Sequence, residues 1–211
     1  MTEQQMAANK QRFMELCNEH IHRDGLDKVL AYLEKSDFYI APSSSRFQLN
    51  EDGGLCLHSI NVFEAACKIY NEMVKPAIMD GTSPFTEEVS MESIAIATLF
   101  HDLCKIKLYH KADRWKKDEN NRWVTYPGYE VKDDFPLGHG EKSCLMLSWY
   151  MRLKPEEMLA IRWHMGMFDM GESGSSLRRS FYAATEKSAL VSIVHSADFL
   201  VSNLWEKTTT Y

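Results

Sequence analysis

Apolar residues recur along this chain with the spacing of helices almost throughout. In residues 3–22, Met6, Phe13, Met14, Cys17 and Ile21 fall roughly on one face, and Leu26, Val29, Leu30 and Leu33 do the same in 26–35. From 55 to 74 the series Leu57, Ile60, Phe63, Cys67, Tyr70 and Val74 advances at helical spacing. Val62, Ala65 and Ile69 occupy the opposite side, so this helix is expected to be central. Thr86 followed by Glu87 and Glu88 reads as a helix start with acids in its first turn, predicting a helix to about Phe100 or beyond. Pro155 with Glu156 and Glu157 opens another, expected to stop near Gly166, and a last helix is expected from about Thr185 to Trp205.

One stretch breaks the pattern. Residues 111–136 carry Trp115, Trp123, Val124, Tyr126, Tyr129 and Val131 around the polar turn DENN, which reads as a short β-hairpin or irregular flap inserted between helices. The Ser-rich pieces, Ser43 to Ser45 and GESGSS, read as short loops. The expected architecture is all-α: a single domain over 1–211, with N-terminal helices in 1–36, a helical core in 37–205 and the insertion at 111–136.

Composition narrows the setting. With 45% hydrophobic and 26% charged residues the chain is ordinary for a globular protein, and a formal net charge of −6 disfavours long nucleic acid or an anionic membrane surface as a partner. The five cysteines (17, 56, 67, 104 and 144) show no CxxC spacing, which points to reduced thiols and a cytoplasmic location. The opening MTEQQMAANK is too polar for a signal peptide, and no apolar run approaches the ~18 residues of a membrane span.

Candidate chemistry lies where polar groups interrupt apolar helices. Ile94 to Phe100 runs straight into His101 and Asp102, and burying a carboxylate costs several kcal/mol unless it is paired or bound to a metal. His58, His139, His164 and Asp198 sit in comparable surroundings. Any one of them alone would be an ordinary satisfied core residue; four histidines and two aspartates together point to a shared metal cluster. Neighbours on a helix point about 100° apart, so His101 and Asp102 can serve one centre only where the helix end is distorted or where Asp102 bridges two ions. Lys105 follows at i+3 from Asp102 and i+4 from His101, able to share their face.

The order H…HD…H…H…D, with a lysine three after the aspartate, resembles the HD-domain superfamily of metal-dependent phosphohydrolases. The lead-in FYIAPSSSRFQLNEDGGLCLHSINV is similar to the segment before the first histidine in bacterial HD-domain 3′–5′ exoribonucleases. The resemblance spans residues 37–205 and implies an all-α bundle with a metal site between helices. It assigns His58, His101, Asp102 and Asp198 to one ion and Asp102, His139 and His164 to a second. The nucleic-acid-binding β-barrel of the exoribonucleases has no counterpart here, and residues 111–136 are not part of the general pattern.

The expected function is hydrolysis of a phosphate ester, a nucleotide or other small phosphorylated molecule, at a dinuclear centre. A nitrogen-rich set favours two Mn, Fe or Zn ions over Mg, acidifying water to hydroxide for in-line attack on phosphorus, with Lys105 offsetting charge on a non-bridging oxygen. The same ligand order also resembles mixed-valent di-iron oxygenases such as myo-inositol oxygenase, which is the alternative. Residues 105–122 hold seven Lys or Arg against three acids, a solvated hairpin surface or a flap that guides a phosphorylated substrate. The aromatic residues of the insertion are expected to pack beneath it. His195 is expected in the core, His20 and His22 on the surface, His110 beside the insertion, and Arg178 and Arg179 in solvent.

Overall fold

A computed structural model describes residues 1–169 and 175–208. The chain is mainly helical with one small two-stranded sheet. In order it forms α1 (Glu3–His20), α2 (Leu26–Glu34), α3 (Gly54–Ile69), α4 (Lys75–Met79), α5 (Met91–Leu99), β1 (Tyr109–Lys117), β2 (Trp123–Val131), α6 (His139–Ser148), α7 (Pro155–Arg162), α8 (Ser175–Lys187) and α9 (Ala189–Leu200). The helical periodicity therefore located most elements, and the ribbon expected within 111–136 runs from Tyr109 to Val131.

The core is built on α3. Its Leu55, Ile60, Val62, Phe63, Ala65 and Ala66 are all buried, and it packs against α1, α5 and α9, while α9 in turn packs on α7. α5 is apolar all round, every residue from Ser93 to Leu99 being buried, as a helix in the centre of a bundle must be. A second network ties the far end of the bundle together. Glu157 on α7 is fully buried, accepts from Ser93 Oγ at 2.7 Å and pairs with Arg23, which also pairs with Glu92 at 2.8 Å.

Two helix boundaries differ from expectation. Thr86, Glu87 and Glu88 do not open a helix; Ser90 caps α5 by accepting from the Ser93 amide at 3.3 Å, and Glu88 pairs with Lys75 at 2.9 Å instead. The helix expected from Thr185 to Trp205 is broken at Ser188, whose extended backbone and hydroxyl cap α9. Beyond Leu200 the coil widens through Val201–Trp205, as it does after α3 in Tyr70–Val74. α7 stops at Arg162, before the expected Gly166. Of the expected loop GESGSS, Ser175 and Ser176 open α8 and residues 171–174 lie outside the described residues.

The hairpin pairs antiparallel from Tyr109↔Val131 to Lys117↔Trp123. Only its base is anchored: Tyr129 is buried and donates to Asp52 at 2.6 Å, and Lys111 pairs with the same carboxylate. Trp115 and Trp123 are 64% and 63% exposed, so they do not pack beneath the ribbon as expected.

Candidate metal centre

The helix problem posed by His101 and Asp102 is solved by ending the helix. α5 stops at Leu99, and Asp102 adopts φ −107°, ψ 21° before a single tight turn at Leu103–Lys105. Both side chains thereby face the same space, into which α3 delivers His58, α6 His139, α9 Asp198 and the end of α7 His164. All six residues singled out from the sequence meet there, together with Lys105.

Asp102 is the hinge of the arrangement. Its Oδ2 lies 3.3 Å from His101 Nε2, 3.6 Å from His58 Nε2 and 2.6 Å from Lys105 Nζ. Its Oδ1 lies 2.8 Å from His139 Nε2 and 3.5 Å from His164 Nε2. Each carboxylate oxygen thus faces its own pair of imidazoles. Asp198 Oδ1 completes the first side at 3.3 Å from His58 Nε2.

The outer ring nitrogens are held in place. His101 Nδ1 donates to the Thr98 carbonyl at 2.6 Å and His164 Nδ1 to that of Ile161 at 2.7 Å. His58 Nδ1 donates to Glu206, 2.9 Å to Oε2, and Asn61 Nδ2 donates to the same carboxylate at 3.0 Å. These partners fix the tautomer in which Nε2 offers its lone pair inward, as metal-binding histidines require. His139, at the start of α6, has the Cys104 thiol 3.4 Å from Nδ1 instead. Glu206 and Cys104 are the two contributors that the sequence did not reveal.

Close backbone approach makes these positions possible. A Cβ on Gly140 would lie 2.3 Å from the Arg162 carbonyl oxygen, so glycine lets α6 press His139 against the end of α7. Gly166 has φ +57°, and its missing side chain leaves room for the His195 ring, whose Nδ1 donates to the His164 carbonyl at 2.7 Å. His195 therefore buttresses His164 and is half-buried, not a full core residue.

Charge is unbalanced without a cation. With neutral imidazoles, Asp102, Asp198 and Glu206 against Lys105 leave −3 + 1 = −2 in a buried space. Burial works against ionised Asp102, but Lys105 and His101 hold its carboxyl well below the usual range. Asp198 is likewise lowered, against its burial, by His58. Burial would depress His58, yet the Glu206 charge and the hydrogen bonds to Asp198 and Glu206 push it up to about 10. His139 rises to about 9 against burial through Cys104 and Asp102, and Lys105 is raised against burial by Asp102.

His164 Nε2 is buried and has no hydrogen-bond partner. Its lone pair is thus open to a ligand on the side of Asp102 Oδ1. The groups His58–His101–Asp198, His101–Asp102–His164 and Asp102–Cys104–His139 each have ligand atoms within 4.8 Å of one another and could hold a metal ion. The residues present fit a cation centre. A cavity of about 580 Å³ opens onto His58, Asp102, His139, His164 and Asp198, lined also by Tyr109, Phe47, Phe168 and Phe199.

Other sequence candidates lie elsewhere. His110, His22, Arg178 and Arg179 are exposed and line no part of this cavity, and His20 is half-buried against Phe63 with ring centroids 5.0 Å apart. No helix among the described residues is long and apolar enough to cross a membrane. No protein-family model, curated protein or solved structure matches this chain.

Proposed function

We propose that this chain is a metal-dependent hydrolase of phosphate esters, of the HD type, acting on a nucleotide or another small phosphorylated molecule. The observation that carries the reading is Asp102, whose two oxygens each face a separate pair of imidazole Nε2 atoms, one of them buried and unsatisfied. A carboxylate so placed suits bridging two cations. His58, His101, Asp102 and Asp198 would hold one, and Asp102, His139 and His164 the other.

When bound, a pair of divalent ions supplies positive charge to phosphoryl oxygens and acidifies water near neutral pH. The nitrogen-rich donor set suits Mn, Fe or Zn better than Mg. The chain's own residues do the rest. Asp102, locked between Lys105 and the histidines, sets the spacing of the two ligand groups. Lys105 keeps its proton at working pH and reaches the cavity, where its ammonium can donate to a non-bridging phosphoryl oxygen and offset charge that grows in the transition state. Thr98, Ile161 and Glu206 hold the imidazoles so that no reorganisation accompanies the reaction.

The test couples elemental analysis of the purified protein to a screen with p-nitrophenyl phosphate and bis-p-nitrophenyl phosphate. Metal-dependent release of p-nitrophenol, abolished by Asp102→Ala, is the expected result. An iron-loaded protein that consumes O₂ and leaves every phosphate ester intact would replace this reading with the di-iron oxygenase one.

A further inference from the structure

Beyond the metal-facing groups, the walls of the same cavity are unlike those of a general phosphate site. Phe47, Phe168 and Phe199 line it while remaining 70%, 75% and 51% exposed. Phe168 and Phe199 stand nearly parallel, 18° between planes and 6.2 Å between centroids. Apolar side chains left open to water beside a concave polar centre mark a binding surface. Among the described residues lining the cavity, Lys105 is the sole lysine or arginine, and it is already engaged by Asp102. Ser43 is among the residues around the cavity, and its hydroxyl is buried without a hydrogen-bond partner.

Resting on the hydrolase reading, we infer that the substrate carries a single phosphoryl group and an uncharged aromatic ring, joined directly or through a sugar. The ring stacks on the wall made by Phe168 and Phe199, and the Ser43 hydroxyl donates to a ring nitrogen or accepts from a substrate hydroxyl. The charge pattern sets the phosphate count. One phosphoryl group meets the cations and Lys105; a second or third would face Glu206 and neutral walls with no counter-charge, a costly desolvation. The aromatic wall favours a leaving group that bears a flat ring, because the ring gains stacking there that a ring-free alcohol such as glycerol lacks.

The experiment compares phenyl phosphate, adenosine monophosphate, adenosine triphosphate and glycerol 2-phosphate as substrates of the metal-loaded protein. It also titrates metal-free protein with adenosine, which has the ring and no phosphate. The two monophosphates with rings are expected to show kcat/KM at least roughly tenfold above the other two. Adenosine is expected to bind the metal-free protein, roughly fivefold to tenfold more weakly in Phe199→Ala, with Phe199→Trp restoring the affinity. Ser43→Ala, which breaks no bond within the folded chain, is expected to raise KM several-fold with little change in kcat.

Equal turnover of glycerol 2-phosphate or of the triphosphate would overturn the inference while leaving a phosphohydrolase. Absence of adenosine binding would overturn the aromatic subsite. A dimer seen in sedimentation and dissolved by Phe199→Ala would assign the wall to a second copy of the chain instead. Adenosine binding with no ester hydrolysed at all would refute the hydrolase reading and the single-phosphate assignment, leaving the ring subsite standing.

Discussion

Glu206→Gln separates a metal centre from a merely packed cluster of histidines. The carboxylate accepts from His58 Nδ1 and from Asn61 Nδ2, and its side chain is 1% exposed, so a glutamine of equal size keeps the packing and loses the charge. The local balance then moves from −2 to −1. Removing the orienting partner of a ligating histidine costs about 10–100-fold in metal affinity. The pH dependence adds a second signature. In metal-free protein the His58 pKa is raised to about 10 from 6.5, first by the Glu206 charge working against burial. A raised histidine contributes stability that is fully present below 6.5 and lost as pH climbs through about 10. A metal must displace that proton, so affinity should rise across the same window. In Glu206→Gln the rise should finish at lower pH, on a plateau lower by the 10–100-fold above. Chelator-competition titrations with Zn²⁺ or Mn²⁺ from pH 6 to 9, with melts of the metal-free protein alongside, read both effects. Identical affinity and pH profile in the two proteins would refute a ligand role for His58 and an orienting role for Glu206.

Other outcomes follow from the same packing. Arg23→Ala strands the buried Glu157 carboxylate and should cost about 3–5 kcal/mol in chemical denaturation; a loss under 1 kcal/mol would show that Ser93 and the Lys154 amide suffice. Gly140→Ala forces a Cβ against the Arg162 backbone, so it should destabilise by about 1–3 kcal/mol and reduce metal stoichiometry by loosening His139. Glu92 is raised by burial but lowered further by the His22 amide and Arg23, leaving it below its ordinary value. Its contribution is therefore present above pH 4.5 and lost as pH falls through the depressed value, and Glu92→Gln should flatten that part of the acid stability curve.

The site was legible because its residues violate their surroundings. A histidine and an aspartate after Ile94–Phe100, or an aspartate within IVHSADFL, stand where burial demands a partner, and the demand shows in the sequence itself. Glu206 carries no such mark. It follows Trp205 in a polar tail and becomes buried only because the coil widens after Leu200 and the chain turns back, the Lys207 carbonyl accepting from the Leu49 amide at 2.9 Å. Cys104 looked like a spare thiol for the same reason, since its neighbour His139 comes from another helix. Boundary errors had local causes. Thr86 reads as the cap, but the buried run begins at Ser93, whose amide Ser90 caps, while Glu88 pairs with Lys75. The hairpin was visible in the aromatic residues flanking the polar turn DENN, but whether Trp115 and Trp123 would be covered depended on tertiary placement.

The most direct measurement is anomalous diffraction from crystals grown with Mn²⁺, at the manganese edge, for the wild type and Asp102→Ala. Two peaks flanking the Asp102 carboxylate, one beside His58, His101 and Asp198 and one beside His139 and His164, with the pair lost in the variant, are what a bridged centre gives. No peak within reach of these side chains, or a pair that persists without the carboxylate, would contradict it.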